Sequence, residues 1–127
     1  MSMITCFRAG TAADFESMRF GEDTNDEAVV LSKNITPGLI ADLAFLLTGS
    51  RDCEPVRVRD KEGLTVYEFK KELVHALGAV DGGHLAAVAD KWGVDDVVGT
   101  VNLLQRLRRL AKEAMDRDHN VYLYWTW

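Results

Sequence analysis

Apolar residues along this chain follow two spacings, alternating near the ends and recurring every three or four positions between them. The alternation is clearest at the C-terminal end, where Val121, Leu123, Trp125 and Trp127 point one way and Tyr122, Tyr124 and Thr126 the other. Both faces carry large side chains that need cover, so residues 121 to 127 are predicted as a central or closing strand with Trp125 in the core. Shorter β-compatible runs stand at residues 3 to 7 and 28 to 31. Residues 51 to 63 read as a loop holding a short edge strand, with Val56 and Val58 inward and Arg57 and Arg59 outward.

Helical spacing comes with its own punctuation. Thr11 and Asp14 form a capping box that opens a short helix over residues 12 to 19, with Phe15 and Met18 on one face. Thr36 as N-cap, Pro37 in the first turn and Gly49 after the last apolar residue bracket a second helix, apolar enough around its circumference to be deeply buried. Thr65 and Glu68 read as another capping box, opening a helix through Phe69, Leu73 and Leu77 that stops at Gly78 with His75 in its last turn. Asp81 caps a helix from Gly83 to Trp92 that Gly93 ends. Asp95 caps the longest one, running to about Asp116, with Val97, Val101, Leu104, Leu107 or Arg108, Ala111, and Ala114 or Met115 inward and Arg106, Arg109, Lys112, Glu113 and Asp116 outward. Residues 118 to 120 are turn chemistry.

These elements predict an α+β fold over residues 1 to 127 as one domain: a small mixed or antiparallel sheet that includes the C-terminal aromatic strand, covered by four or five helices. No stretch is long and apolar enough for a membrane span, and the N-terminal residues do not have the build of a signal peptide, so the expected location is the cytoplasm. Cys6 and Cys53 are then free thiols: Cys6 a small buried hydrophobe, Cys53 the more accessible one in a loop and the one candidate reactive thiol.

Charge narrows the functional classes. The net charge is −5, and six acids against Arg19 between Asp14 and Glu27 account for all of it. A direct nucleic-acid partner is disfavoured, since phosphate contacts need a basic surface. Calcium is also disfavoured, because residues 23 to 34 resemble a calcium loop only in their opening acids, with Ala28 where glycine is required and Asn34 where a bidentate Glu is required. His75, His84, His119 and the two cysteines show no paired metal-ligand spacing, and no cofactor motif is present.

What remains is recognition of a basic protein. The leading expectation is a non-enzymatic inhibitor of immunity type that occludes a basic toxin or nuclease, with Glu22, Asp23, Asp26, Glu27, Asp90, Asp95 and Asp96 pairing with its Lys or Arg. One alternative is a small enzyme or ligand-binding domain built from Cys53, His75 and His84. Another is a homo-oligomeric subunit, such as a homodimer, in which Tyr122, Tyr124 or Trp127 buries against a second copy.

Overall fold

The computed structural model describes residues 4 to 16, 30 to 33, 35 to 61, 64 to 94 and 96 to 126. Among them are five strands, β1 (Ile4–Gly10), β2 (Val30–Lys33), β3 (Val56–Lys61), β4 (Leu64–Glu68) and β5 (Asn120–Thr126). The helices are α1 (Ala12–Glu16), α2 (Pro37–Thr48), α3 (Lys71–Ala79), α4 (Leu85–Trp92) and α5 (Val97–Asp116), with a 3₁₀ turn at Gly82–His84 leading into α4. The fold is α+β. Met3, Met18, residues 21 to 29, Asn34, Gly63, Asp95 and Trp127, on which several sequence expectations rest, lie outside the described residues.

The strands form one antiparallel sheet in the order β2-β1-β5-β4-β3. Strand β5 lies between β1 and β4, with Phe7 opposite Leu123, Cys6 opposite Tyr124, and Val66 opposite Tyr124 on the other side. Its period of two sorts the sheet into two faces. Phe7, Val121 and Leu123, with Trp125 beside them, join the core under the helices. Cys6, Val66, Tyr122 and Tyr124 form a smaller core on the opposite face with Phe15 of α1. The rings of Phe15 and Tyr122 stack with centroids 4.0 Å apart.

On the larger face α5 packs on β1, β2 and β5, α3 and α4 pack on α5, and α2 bridges α3 and α4. Indole N–H groups tie the layers together: Trp92 Nε1 donates to the Leu39 carbonyl at 2.8 Å, and Trp125 Nε1 donates to the Ile35 carbonyl at 3.2 Å. The buried Thr5 hydroxyl donates to that same carbonyl at 2.9 Å and accepts from the Ile35 amide at 3.0 Å. The chain entering α2 is thereby fixed to β1 and β5 together.

Much of the local punctuation is as expected. Thr11 and Asp14 form a reciprocal capping box, with the Thr11 amide donating to Asp14 Oδ2 at 2.9 Å and the Asp14 amide to Thr11 Oγ1 at 3.4 Å. Thr36 Oγ1 accepts from the Leu39 amide, and Gly49 ends α2 in the left-handed region at φ 74°. Asp81 accepts from the Gly83 amide, and Gly93 closes α4 at φ 64°.

Several expectations are corrected. Thr65 and Glu68 belong to strand β4, so they open no helix; α3 begins at Lys71, with Lys70 as an N-cap that makes no side-chain cap bond. Gly78 lies inside α3 and is buried against Met115 of α5, so it is a packing residue rather than a stop. His75 accordingly falls in the middle of that helix. The cap of α5 is Asp96, whose carboxylate accepts from the Gly99 amide at 2.6 Å. Its buried stripe holds Leu103 and Leu110 as well as Leu104, Leu107, Ala111 and Ala114, while Val97 is exposed. Helix α2 is only partly buried: Ile40, Leu43 and Ala44 are inside, and Phe45 is exposed beneath the Arg51 guanidinium, 4.4 Å from the ring centroid.

The edge strand β3 departs from its expected alternation, although Arg57 is exposed as expected. Val56 and Val58 are exposed and Arg59 is 7% exposed. The register shifts between Arg57 and Arg59, so the extra residue changes the phase of everything after it. Arg59 lies opposite Val66 and sends Nη1 to the Phe15 carbonyl at 2.8 Å. An edge blunted by a bulge and by exposed Arg57 and Asp60 is poorly suited to pairing with another chain.

Candidate functional site

Two concavities adjoin where β4 passes into α3 and α5 turns into β5. The first, about 200 Å³, lies between Lys71, Val74 and His75 of α3 and Met115, Asp118, His119 and Asn120. The second, about 230 Å³, shares Lys71, Asp118, His119 and Asn120 and extends to Glu68, Tyr122 and residues 10 to 12. Lys71, Val74 and His75 share one side of α3 because residues three and four apart on a helix are neighbours.

The turn on the other side is tightly held. Asp118 occupies the left-handed region at φ 54°, and the His119 amide donates to the Ala114 carbonyl at 2.7 Å. Asn120 Nδ2 donates to the Phe69 carbonyl at 2.9 Å, Asn120 Oδ1 accepts from the Val121 amide at 2.9 Å, and the Phe69 amide donates to the Val121 carbonyl at 2.9 Å. The entry into α3 and the start of β5 are therefore linked by hydrogen bonds.

Electrostatics divides the two lobes. In the second, the Tyr122 hydroxyl donates to Glu68 Oε2 at 2.6 Å. Burial pushes the Tyr122 phenol well above its ordinary value, and the hydrogen bond and negative charge of Glu68, then the charge of Asp14, add to it. Hydrogen bonds from Thr11 hold Asp14 below the usual carboxylate range, with Arg8 and His119 adding smaller attractions. In the first lobe, Lys71, His75 and His119 make no side-chain hydrogen bond or ion pair with any described residue.

The acidic surface reads differently. Glu22, Asp23, Asp26, Glu27 and Asp95 lie outside the described residues. Asp90 is exposed on α4 and Asp96 is exposed at the start of α5, where one of its oxygens is already engaged by the cap. Val98, two residues beyond Asp96, is 72% exposed, and Val97 is 45% exposed. A basic stretch of α5 carries Arg106 and Arg109 beside Asn102 and Gln105, so the exposed surface is not uniformly acidic.

The residues of the enzymatic alternative are not assembled. Cys53 is 5% exposed within the main core, which removes it as an accessible thiol; its Sγ is met by Thr48 Oγ1 at 3.9 Å, and no histidine hydrogen-bonds to it. His84 is exposed and pairs with Asp81, Nδ1 to Oδ2 at 3.5 Å. Cys6 is fully buried, and burial pushes its thiol up to about 11. Tyr122 and Tyr124 are each 2% exposed within the monomer, which leaves them no surface to offer a second copy. Among the described residues no group of three or more His, Cys, Asp or Glu could hold a metal ion, and no helix is long and apolar enough to cross a membrane.

Comparison with protein-family models, curated proteins and solved structures returns no match. The cleft residues were not singled out together by sequence reasoning. Asp118, His119 and Asn120 carried only a turn signal, and the partners that complete the site, Glu68, Lys71 and His75, come from more than forty positions earlier in the chain.

Proposed function

We propose that the chain is a non-enzymatic cytoplasmic protein-binding module, an acidic inhibitor of immunity type that docks on a basic partner such as a toxin or nuclease. The observation that carries this reading is the exposed Val97 and Val98 pair beside Asp96, with Asp90 exposed on the preceding helix. Exposed aliphatic anchors next to carboxylates combine the two things a steered interface uses: charge that raises the association rate, and apolar contact that slows dissociation. In sequence, Glu22, Asp23, Asp26 and Glu27 add to the negative field a basic partner meets. Occlusion is the mechanism: carboxylates occupy Lys or Arg side chains that otherwise contact substrate.

The test is capture of a basic partner by the full chain, followed by binding kinetics at two salt concentrations. The reading requires a stoichiometric partner whose association slows with salt and with Asp90→Lys, and whose dissociation quickens with Val98→Asp. A partner bound equally well by Val98→Asp, with salt-independent kinetics, overturns it.

A further inference from the structure

The first lobe of the cleft gathers cationic or ionisable nitrogen groups, unlike the acidic surface of the proposed docking face. Its three nitrogen-bearing side chains, Lys71, His75 and His119, make no side-chain hydrogen bond or ion pair with a described residue, His119 attracting the Asp14 carboxylate only weakly, and they border one concavity in a protein of net charge −5. Carboxylates abound elsewhere in the chain, yet none of the described ones lies within ion-pair reach of these three groups. Asp118 is the one carboxylate bordering this lobe, and it sits on the turn, exposed to solvent. The carboxylate of the adjoining lobe, Glu68, is already engaged by the Tyr122 hydroxyl.

Val74 and Met115 form one apolar patch in a lining that otherwise carries Lys71, His75, Asp118, His119 and Asn120. Val74 is 2% exposed and Met115 is half-buried, both packed with the main core. A cleft of about 200 Å³ with three nitrogen-bearing side chains and one aliphatic patch suits a small ligand held at one end by charge and at the other by apolar contact. The turn side is set by the hydrogen bonds of Asn120 and His119, so that half of the site is pre-formed.

We propose that this lobe binds a small aliphatic carboxylate, with its anionic end toward Lys71, His75 and His119 and its hydrocarbon body on Val74 and Met115. The probe is butanoate, titrated into the full chain while the ring C–H signals of the histidines are followed by NMR, with acetate and inorganic phosphate run in parallel. Saturable shifts of His75 and His119 are expected, with His84, which faces Asp81, unmoved. Affinity should rise about fourfold per methylene from acetate to butanoate. Lys71→Ala should weaken butanoate roughly tenfold or more, as loss of a charge-assisted contact does. Lys71 and His75 are exposed, so Lys71→Ala and His75→Gln leave the core intact, which a far-ultraviolet spectrum checks. Shifts that never saturate, His84 moving with His75, unchanged binding in Lys71→Ala, or phosphate binding more tightly than butanoate would each overturn the proposal.

Discussion

Arg59 Nη1 donates to the Phe15 carbonyl across 2.8 Å, so a guanidinium from the edge strand holds the short helix α1 onto the second face of the sheet. The register shift before Arg59 turns it inward, and this contact gives its buried guanidinium a partner. Arg59→Met keeps aliphatic volume but deprives the Phe15 carbonyl of that donor, and should cost about 1 to 3 kcal/mol in urea denaturation. Val58→Thr, at a site 46% exposed, should stay within about 0.5 kcal/mol. The reverse ranking would mean that Val58 is the inward residue.

Alkaline pH should destabilise the fold through two groups on that same face. Cys6 is raised from 9.0 to about 11, and Tyr122 is raised from 10.0. Each holds its proton more tightly when folded, so its contribution is complete below the unfolded value and is lost as pH rises through the folded one. The melting temperature should fall from about pH 9 upward, with a second contribution above about pH 10. Cys6→Ala should flatten the first part of the slope and Tyr122→Phe the second, whatever either does to stability at neutral pH. A melting temperature level from pH 8 to pH 11 would contradict the assignment.

The central position of β5 predicts a severe effect of removing it. A chain ending at Asn120 loses the strand between β1 and β4, and should show no cooperative thermal transition. Trp125→Phe is a gentler probe. It removes the indole donor to the Ile35 carbonyl, but that carbonyl keeps the Thr5 hydroxyl, so the hydrogen-bond loss should be about 0.5 to 1.5 kcal/mol. A truncated chain that still melts cooperatively would move the segment from core to appendage.

Two glycines that look alike in sequence should behave differently. Gly49→Ala meets no atom within 4 Å but must hold a left-handed backbone at φ 74°, at a cost of about 1 to 2 kcal/mol. Gly78→Ala gains about 0.8 to 1.0 kcal/mol of helix propensity and displaces only the flexible end of Met115, so it should be near neutral. Gly78→Leu overfills the contact between α3 and α5, costing about 1 to 3 kcal/mol. Urea midpoints of the three variants give the comparison directly.

Sequence alone determined what depends on a few neighbouring residues. Helix α2 was legible from Thr36, Pro37 and Gly49, and the capping box of α1 from Thr11 and Asp14, because a cap is a hydrogen bond closed within three or four positions. The two faces of β5 were legible because a period of two needs no knowledge of the neighbours. The same logic misread Thr65 and Glu68, whose spacing imitates a cap: pairing with β3 and β5 makes that segment a strand, and tertiary pairing outweighs a local preference.

Tertiary structure decided the rest. A register shift in β3 places Arg59 opposite Val66 on the inner side, and no periodicity announces a bulge. Packing under the helices took Cys53 out of solvent. The cleft joins α3 to the turn before β5 only because the sheet lays β4 beside β5, so Lys71 and His75 meet His119 through strand pairing rather than through any motif. Short-range hydrogen bonds and periodicities are written in the order of residues, whereas the meeting of distant side chains is set by the sheet that brings them together.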